Sequence, residues 1–354
     1  MQLGLNLGYW GAGNDKDNLV LAQEADRLGY AVCWAAEAYG SDVPTILSWV
    51  AAQTQRIDVG AAVMQIPART PAMTAMTAAT LDSLSGGRFR LGLGVSGPQV
   101  SEGWHGVRFD DPLGRTREYV EIVRTALRRE KLTHAGRHYT LPLPDGPGKA
   151  LQLTVHPARE TIPVYLAAVG PKNLALTGEI ADGWLGVFFS PEHAALSIDP
   201  IRTARVAAGR AAAEAPLAGF DVVPTVPVVL GDDVAEAANA VRLYTALYVG
   251  GMGSRKQNFY NALVRRMGYE EVAETVQELY LDRRPFEAAE ALPVELLDST
   301  ALLGTGDRIA DRLHAYAEAG VTTLSVVPMA GSLPDRLQTL RTMVEAVERA
   351  GLSS

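Results

Sequence analysis

The chain has 354 residues, 47% of them hydrophobic and 20% charged, with a formal net charge of −8. That apolar content fills a substantial core and excludes intrinsic disorder, and the length suits one large α/β domain or two ordinary ones. The acidic balance excludes a nucleic-acid-binding surface, which needs a basic stripe, and it disfavours cationic docking on a membrane.

Hydrophobic periodicity alternates along the chain between short apolar runs and longer amphipathic stretches. Residues 3–7 read as a strand and 17–28 as a helix that stops at Gly29. A second strand over 31–36 leads to a helix over 44–54, and a third strand over 56–64 leads to a helix over 71–84 that ends at Gly86-Gly87. Residues 89–95 form the fourth strand, and the next helix spans 115–128. A Gly- and Pro-rich stretch over 134–155 reads as a hairpin or lid. Strands five and six fall at 163–169 and 182–188, each followed by a helical pattern. The seventh, at 220–230, is weakened by Pro224 and Pro227. Several short helices then fill 232–307, before an eighth strand at 322–327 and a last helix to about Ala350. Alternating strands and helices imply parallel strands with helical crossovers, and eight units suggest a (β/α)8 TIM barrel in a single domain with insertions over 134–155 and 232–307. An open doubly wound sheet is the alternative.

Gly92-Leu93-Gly94-Val95-Ser96-Gly97 matches G-x-G-x-x-G directly after the fourth strand. A dinucleotide fingerprint also requires a helix to open at the last glycine. The pattern predicts the next helix only near Arg115, and the unit is the fourth instead of the first, so the Rossmann reading fails on context. What remains is a Gly-rich loop at a strand's C-terminal end, where backbone can approach a ligand closely. A second turn, Val169-Gly170-Pro171-Lys172-Asn173, leads into a helix. Pro171 suits a first helical turn, the amides there suit a phosphate, and Lys172 is one of five lysines. An ordinary βα turn explains the same residues equally well.

After the second strand comes Glu37-Ala38-Tyr39-Gly40-Ser41-Asp42. A carboxylate at the C-terminal end of a barrel strand faces the site, where a raised pKa permits proton transfer, so Glu37 is a candidate acid; Asp42, before Pro44, reads as a helix N-cap. His105, beside Trp104 in the loop after strand four, is a second candidate acid, against the plain reading of a surface loop held by an aromatic. Cys33 reads as a buried small hydrophobe. The remaining histidines lack metal-ligand spacing, and no G-x-S-x-G or Walker sequence occurs. With no signal-peptide pattern and no apolar run long enough to span a bilayer, the expectation is a soluble, cytoplasmic protein.

Ala79-Thr80-Leu81-Asp82-Ser83-Leu84-Ser85-Gly86-Gly87-Arg88, running into Phe89-Arg90-Leu91-Gly92-Leu93-Gly94, resembles the signature of the bacterial-luciferase-like family. Its members are TIM barrels that use FMN or the deazaflavin coenzyme F420. The likeness extends over nearly the whole chain: Gly170-Pro171-Lys172 and Ala181-Asp182-Gly183-Trp184 are similar to the family's phosphate loop and sixth strand. Residues 37–42 and 97–106 most resemble the F420-dependent branch. The resemblance implies a cis peptide at Ala62-Val63 against the deazaflavin ring, with Gln65 near the ring or ribityl chain. It also implies that Ser96, Gly97 and Gln99 border the polar side of ring and tail. Val169, Gly170, Pro171, Lys172 and Asn173 would hold the phosphate, and Glu37 would be an acidic cofactor contact. Two departures stand out: Ala38 occupies a position where dehydrogenases of this branch commonly carry His, and Pro98 one where they carry Glu. Glucose-6-phosphate oxidation is therefore not expected. The combined reading is an F420-dependent oxidoreductase that reduces a C=C, C=N or C=O group of a small organic substrate. Tyr39, His105, Glu37 or water would supply the proton. The alternatives are an FMN-dependent two-component monooxygenase and a non-catalytic barrel that acts as an interaction partner. The family also implies a homodimer.

Overall fold

Aliphatic and β-branched runs of four to ten residues become strands, and the amphipathic stretches between them become helices. A computed structural model describes residues 1–10 and 15–353. Among the described residues the principal strands are β1 (Gln2–Asn6), β2 (Val32–Ala35), β3 (Asp58–Ala61), β4 (Phe89–Gly94), β5 (Val164–Ala167), β6 (Gly183–Val187), β7 (Asp221–Leu230) and β8 (Thr323–Pro328). Helices follow the strands in turn, including Val43–Ala52, Pro71–Ser85, Pro112–Leu127, Pro171–Ile180, Ala195–Ala207 and Leu333–Arg349.

The chain divides into two compact units that interleave in sequence. One comprises Leu7–Ala167 with Glu179–Gly183. Here β2, β3, β4 and β5 lie side by side in that order and in parallel, with Cys33 opposite Val59, Val59 opposite Phe89, and Leu91 opposite Val164. Their side chains are buried, as expected for a parallel sheet covered by helices: Trp34, Phe89, Leu91 and Leu93 are fully enclosed, and Cys33 is inert core. Sequence-local capping sets the helix starts. Asp42 accepts from Thr45 N (3.0 Å), and Thr70 accepts from Met73 N (3.2 Å).

The signature stretch builds a corner of this unit. Asp82, with no exposed surface, accepts from the backbone and guanidinium of Arg159 (3.0, 2.8 and 2.6 Å). The helix ends at Gly86 with φ +69°, a left-handed cap that glycine reaches without a Cβ penalty. Arg88 then donates to the carbonyls of Ser85, Ile57 and Ala51.

The other unit comprises Met1–Asn6, Ala168–Gly178 and the chain from Trp184 onward. Its strands run β6, β7, β8, β1, with Val226 opposite Val326 and Leu5 opposite Val326 on the two sides of β8. Pro224 and Pro227 do not interrupt β7, because Thr225, Val226 and Val228 stay in register with β8 around them. The segment after β7 carries helices Val234–Ala246, Phe259–Arg266, Glu270–Leu281, Pro285–Glu290 and Val294–Ser299. They bury their own core around Val249, Leu263, Val276, Leu297 and Leu303.

The structure corrects two expectations and bears out a third. A six-residue helix, Pro98–Gly103, opens directly at Gly97, so a helix does follow the Gly-rich loop; its shortness and its place in the fourth unit still set it apart from a dinucleotide fold. Proline at its first position explains the start. Helix Val294–Ser299 and strand Leu302–Gly304, paired to β7 through Val229 and Leu303, were not foreseen within 232–307. Over 134–155 the hairpin reading is right: His134–Ala135 pairs antiparallel with Thr140–Leu141. This hairpin is tied down, because Glu118 accepts from the backbone N–H groups of Arg137, His138 and Tyr139 and faces His134 Nε2 at 3.2 Å.

Candidate active site

The C-terminal ends of parallel barrel strands are where catalytic residues collect. In the first unit, the segments after β2, β3 and β4 meet in one hydrogen-bonded chain. Glu37 is 8% exposed. One carboxylate oxygen accepts from Gln65 N (2.9 Å), the other from Val43 N (3.1 Å), and both face the guanidinium of Arg69. The same guanidinium also pairs with Asp42. Gln65 in turn donates through Nε2 to the Ala38 carbonyl (2.5 Å) and accepts at Oε1 from Ser96 Oγ (2.9 Å). Burial alone would lower the pKa of Arg69, but Glu37 and Asp42 outweigh it and hold the guanidinium more firmly charged. Burial likewise raises the Asp42 carboxyl, and Thr45 and Arg69 reverse that, leaving it lowered.

The Ala62–Val63 peptide is cis. Val63 leans on β4 so closely that a Cβ at Gly94 would lie 2.6 Å from its Cγ2, which only glycine allows. Ser96 adopts φ +61°, and Gly97 starts the short helix, with Gln99 on its exposed side. Glu37, Gln65 and Ser96 are therefore joined, with Ala62, Val63 and Gly97 adjacent in sequence. Tyr39 and His105 do not join this chain. Tyr39 is 67% exposed, while His105 Nε2 is buried without a hydrogen-bond partner. Glu37 as a proton donor does not fit this geometry, because its two oxygens already accept two backbone N–H groups and a guanidinium. Such a setting suits a hydrogen-bonding anchor.

In the second unit, Val169–Asn173 leads from β5 into helix Pro171–Ile180, as expected. The first-turn amides of a helix have no carbonyl four residues back, which makes this end receptive to an anion. Lys172 is exposed beside it. A Cβ on Gly170 would meet nothing within 4 Å, and its φ is not left-handed, so its backbone does not require glycine. Trp184, buried at 2% exposure, donates its indole N–H to the Ala168 carbonyl (2.9 Å) and fixes the base of the loop. Arg266 donates to the Val169 carbonyl (3.0 Å), and burial lowers its pKa.

Sequence reasoning missed three features. Arg69 and Arg266 lie far in sequence from the residues they touch, and arginine is common in this chain, so no local signal marked them. The third is an aromatic cluster at the end of β6. Phe188, at φ +52°, lies 5.3–6.1 Å from the rings of Tyr244, Tyr248 and Tyr260. Tyr244 and Tyr248 at i, i+4 were the available clue.

Residues 9–323 match the model of the luciferase-like monooxygenase family. The chain belongs to that family. A Mycobacterium tuberculosis protein assigned as a coenzyme F420-dependent oxidoreductase is 46% identical over 92% of this chain and 94% of its own length. The 5,10-methylenetetrahydromethanopterin reductase of Archaeoglobus fulgidus is 27% identical over 90% of each chain. Among solved structures, the coenzyme F420-dependent tetrahydromethanopterin reductase of Methanopyrus kandleri superposes with a TM-score of 0.81, at 22% identity and 98% coverage of both chains. The fold of this luciferase-like chain is thus the (β/α)8 TIM barrel expected from its strand–helix alternation.

Proposed function

We propose that this chain is an F420-dependent oxidoreductase that reduces a C=C, C=N or C=O group of a small organic substrate. The observation that carries the F420-dependent part of the reading is the 46% identity, over nearly the whole chain, to a relative named as a coenzyme F420-dependent oxidoreductase. The donor set suits such a cofactor: the helix start at Pro171 with Lys172 beside it offers backbone N–H groups and a cation for a phosphate, and Ser96 and Gln65 offer hydroxyl and amide groups for a polar ring edge. When bound, the deazaflavin supplies a hydride donor or acceptor.

On this reading Val169, Gly170, Pro171, Lys172 and Asn173 hold the phosphate. Ala62, Val63, Gln65, Ser96, Gly97 and Gln99 border the ring and its tail. Glu37 keeps Gln65 in place, and the proton comes from Tyr39 Oη, from the unpartnered Nε2 of His105, or from water. Ala38 presents its carbonyl to Gln65 and Pro98 opens a helix, so neither departure from the dehydrogenase pattern offers an acid. The family's monooxygenase description favours a second reading, FMN-dependent oxygenation. Parallel binding titrations with F420 and FMN separate the two.

We further propose that the chain works as one domain, in the cytoplasm, and as a homodimer. No helix among the described residues is long and apolar enough to cross a membrane. Met73 and Met76 are each 50% exposed and Leu84 76% along helix Pro71–Ser85, and Trp49 of helix Val43–Ala52 is 54% exposed, which together offer an apolar face.

A further inference from the structure

Arg69 has no place in the signature, yet it is the residue on which the strand ends of the first unit converge. Its backbone is fixed by Tyr119 Oη, which donates to the Arg69 carbonyl (3.2 Å) and meets Thr74 Oγ1 at 2.6 Å. Its guanidinium spans two carboxylates, Glu37 after β2 and Asp42 at the start of helix Val43–Ala52. Glu37 holds the Gln65 amide, and the Gln65 side chain holds Ser96 after β4. Three successive strand ends are thereby set by one cation. The side chains of Arg69 and Glu37 are only 15% and 5% exposed, so water cannot take the cation's place.

We propose that Arg69 is a positioning residue that sets Gln65 and Ser96 for cofactor binding, acting through the Glu37 carboxylate. The proposal rests on the reading that Gln65 and Ser96 border the cofactor. With Arg69 in place, the Glu37 carboxylate is held by the guanidinium and accepts both backbone N–H groups. Without it, the buried Glu37 side chain loses its charged partner and shifts in search of another, which loosens its hold on Gln65. Ser96, already at φ +61°, then loses the acceptor of its hydroxyl. No bond is made or broken in this role.

The test compares wild type, Arg69→Met, Ser96→Ala and the double variant. Amide exchange is followed in the uncomplexed proteins and affinity by F420 titration. Met keeps the length of the stem and removes only the cation. In Arg69→Met, exchange in the 94–97 segment rises about tenfold while helix Pro112–Leu127 keeps its protection, and F420 affinity falls about tenfold. The loss in the double variant stays close to that of the more damaging single variant, because both act on one chain. Arg69→Lys, with the charge but not the fork, recovers part of the affinity. If Arg69→Met does not fold, Arg69→Lys and Glu37→Gln carry the same comparison. Unchanged exchange at 94–97, or losses that simply add, would overturn the proposal. Should wild type fail to bind F420, the functional reading falls, and the exchange measurement still decides the role of Arg69.

Discussion

Glu37 and Glu192 show how differently a carboxylate behaves according to what surrounds it. Glu37 is enclosed and serves as an anchor. Glu192 is half exposed at its side chain; Arg312 chiefly, with the Ser190 hydroxyl, outweighs partial burial and holds its carboxyl at about 2. Because that lies below the ordinary value of 4.5, the pair stabilises the fold fully above pH 4.5 and loses its contribution as pH falls toward 2. Exposure screens the interaction, so Glu192→Gln costs less than about 1 kcal/mol at pH 7, and its difference from wild type in thermal unfolding disappears by about pH 2. Gly170→Asp addresses the phosphate loop. Nothing crowds a Cβ there, so the fold survives, while a carboxylate beside the helix start weakens F420 affinity at least about tenfold in a binding titration. Unchanged affinity would remove the loop from the account. Asp42 could be read as a cap because capping is local, three residues from its partner. The Arg69–Glu37 pair could not be, since 32 residues separate its members and only the fold brings them together.

Among elements, the stretch that made the family recognisable does structural work. In helix Pro71–Ser85, Asp82 anchors Arg159, Gly86 ends the helix and Arg88 ties the corner to carbonyls across 51–57. A signature thus identifies the family without pointing at its chemistry. Arg159→Ala leaves the wholly buried Asp82 side chain without its guanidinium partner, and chemical denaturation should show a loss of about 3–5 kcal/mol with F420 affinity retained in the folded fraction. A loss below about 1 kcal/mol would show that Asp82 finds another partner. Strand and helix order was legible from periodicity alone, because each barrel strand is apolar on both faces and each helix on one. The short elements were not. Helix Pro98–Gly103 has too few residues to show a period, and Leu302–Gly304 counts as a strand only because β7 lies beside it.

For the molecule as a whole, net charge excluded nucleic acid but could not find an anion site, because backbone amides at a helix start carry no formal charge. The exposed apolar face of helix Pro71–Ser85 bears on assembly. Light scattering should give twice the chain mass for wild type and the single-chain mass for a Met76→Glu, Leu84→Glu variant; a monomeric wild type would contradict the homodimer. The central claim is the cofactor, and equilibrium titration of the purified protein with F420 and, separately, with FMN tests it most directly. Saturable binding of F420 at micromolar or lower concentration is expected, with FMN bound far more weakly. Saturable binding of FMN with no binding of F420 would contradict it and establish the oxygenase reading in its place.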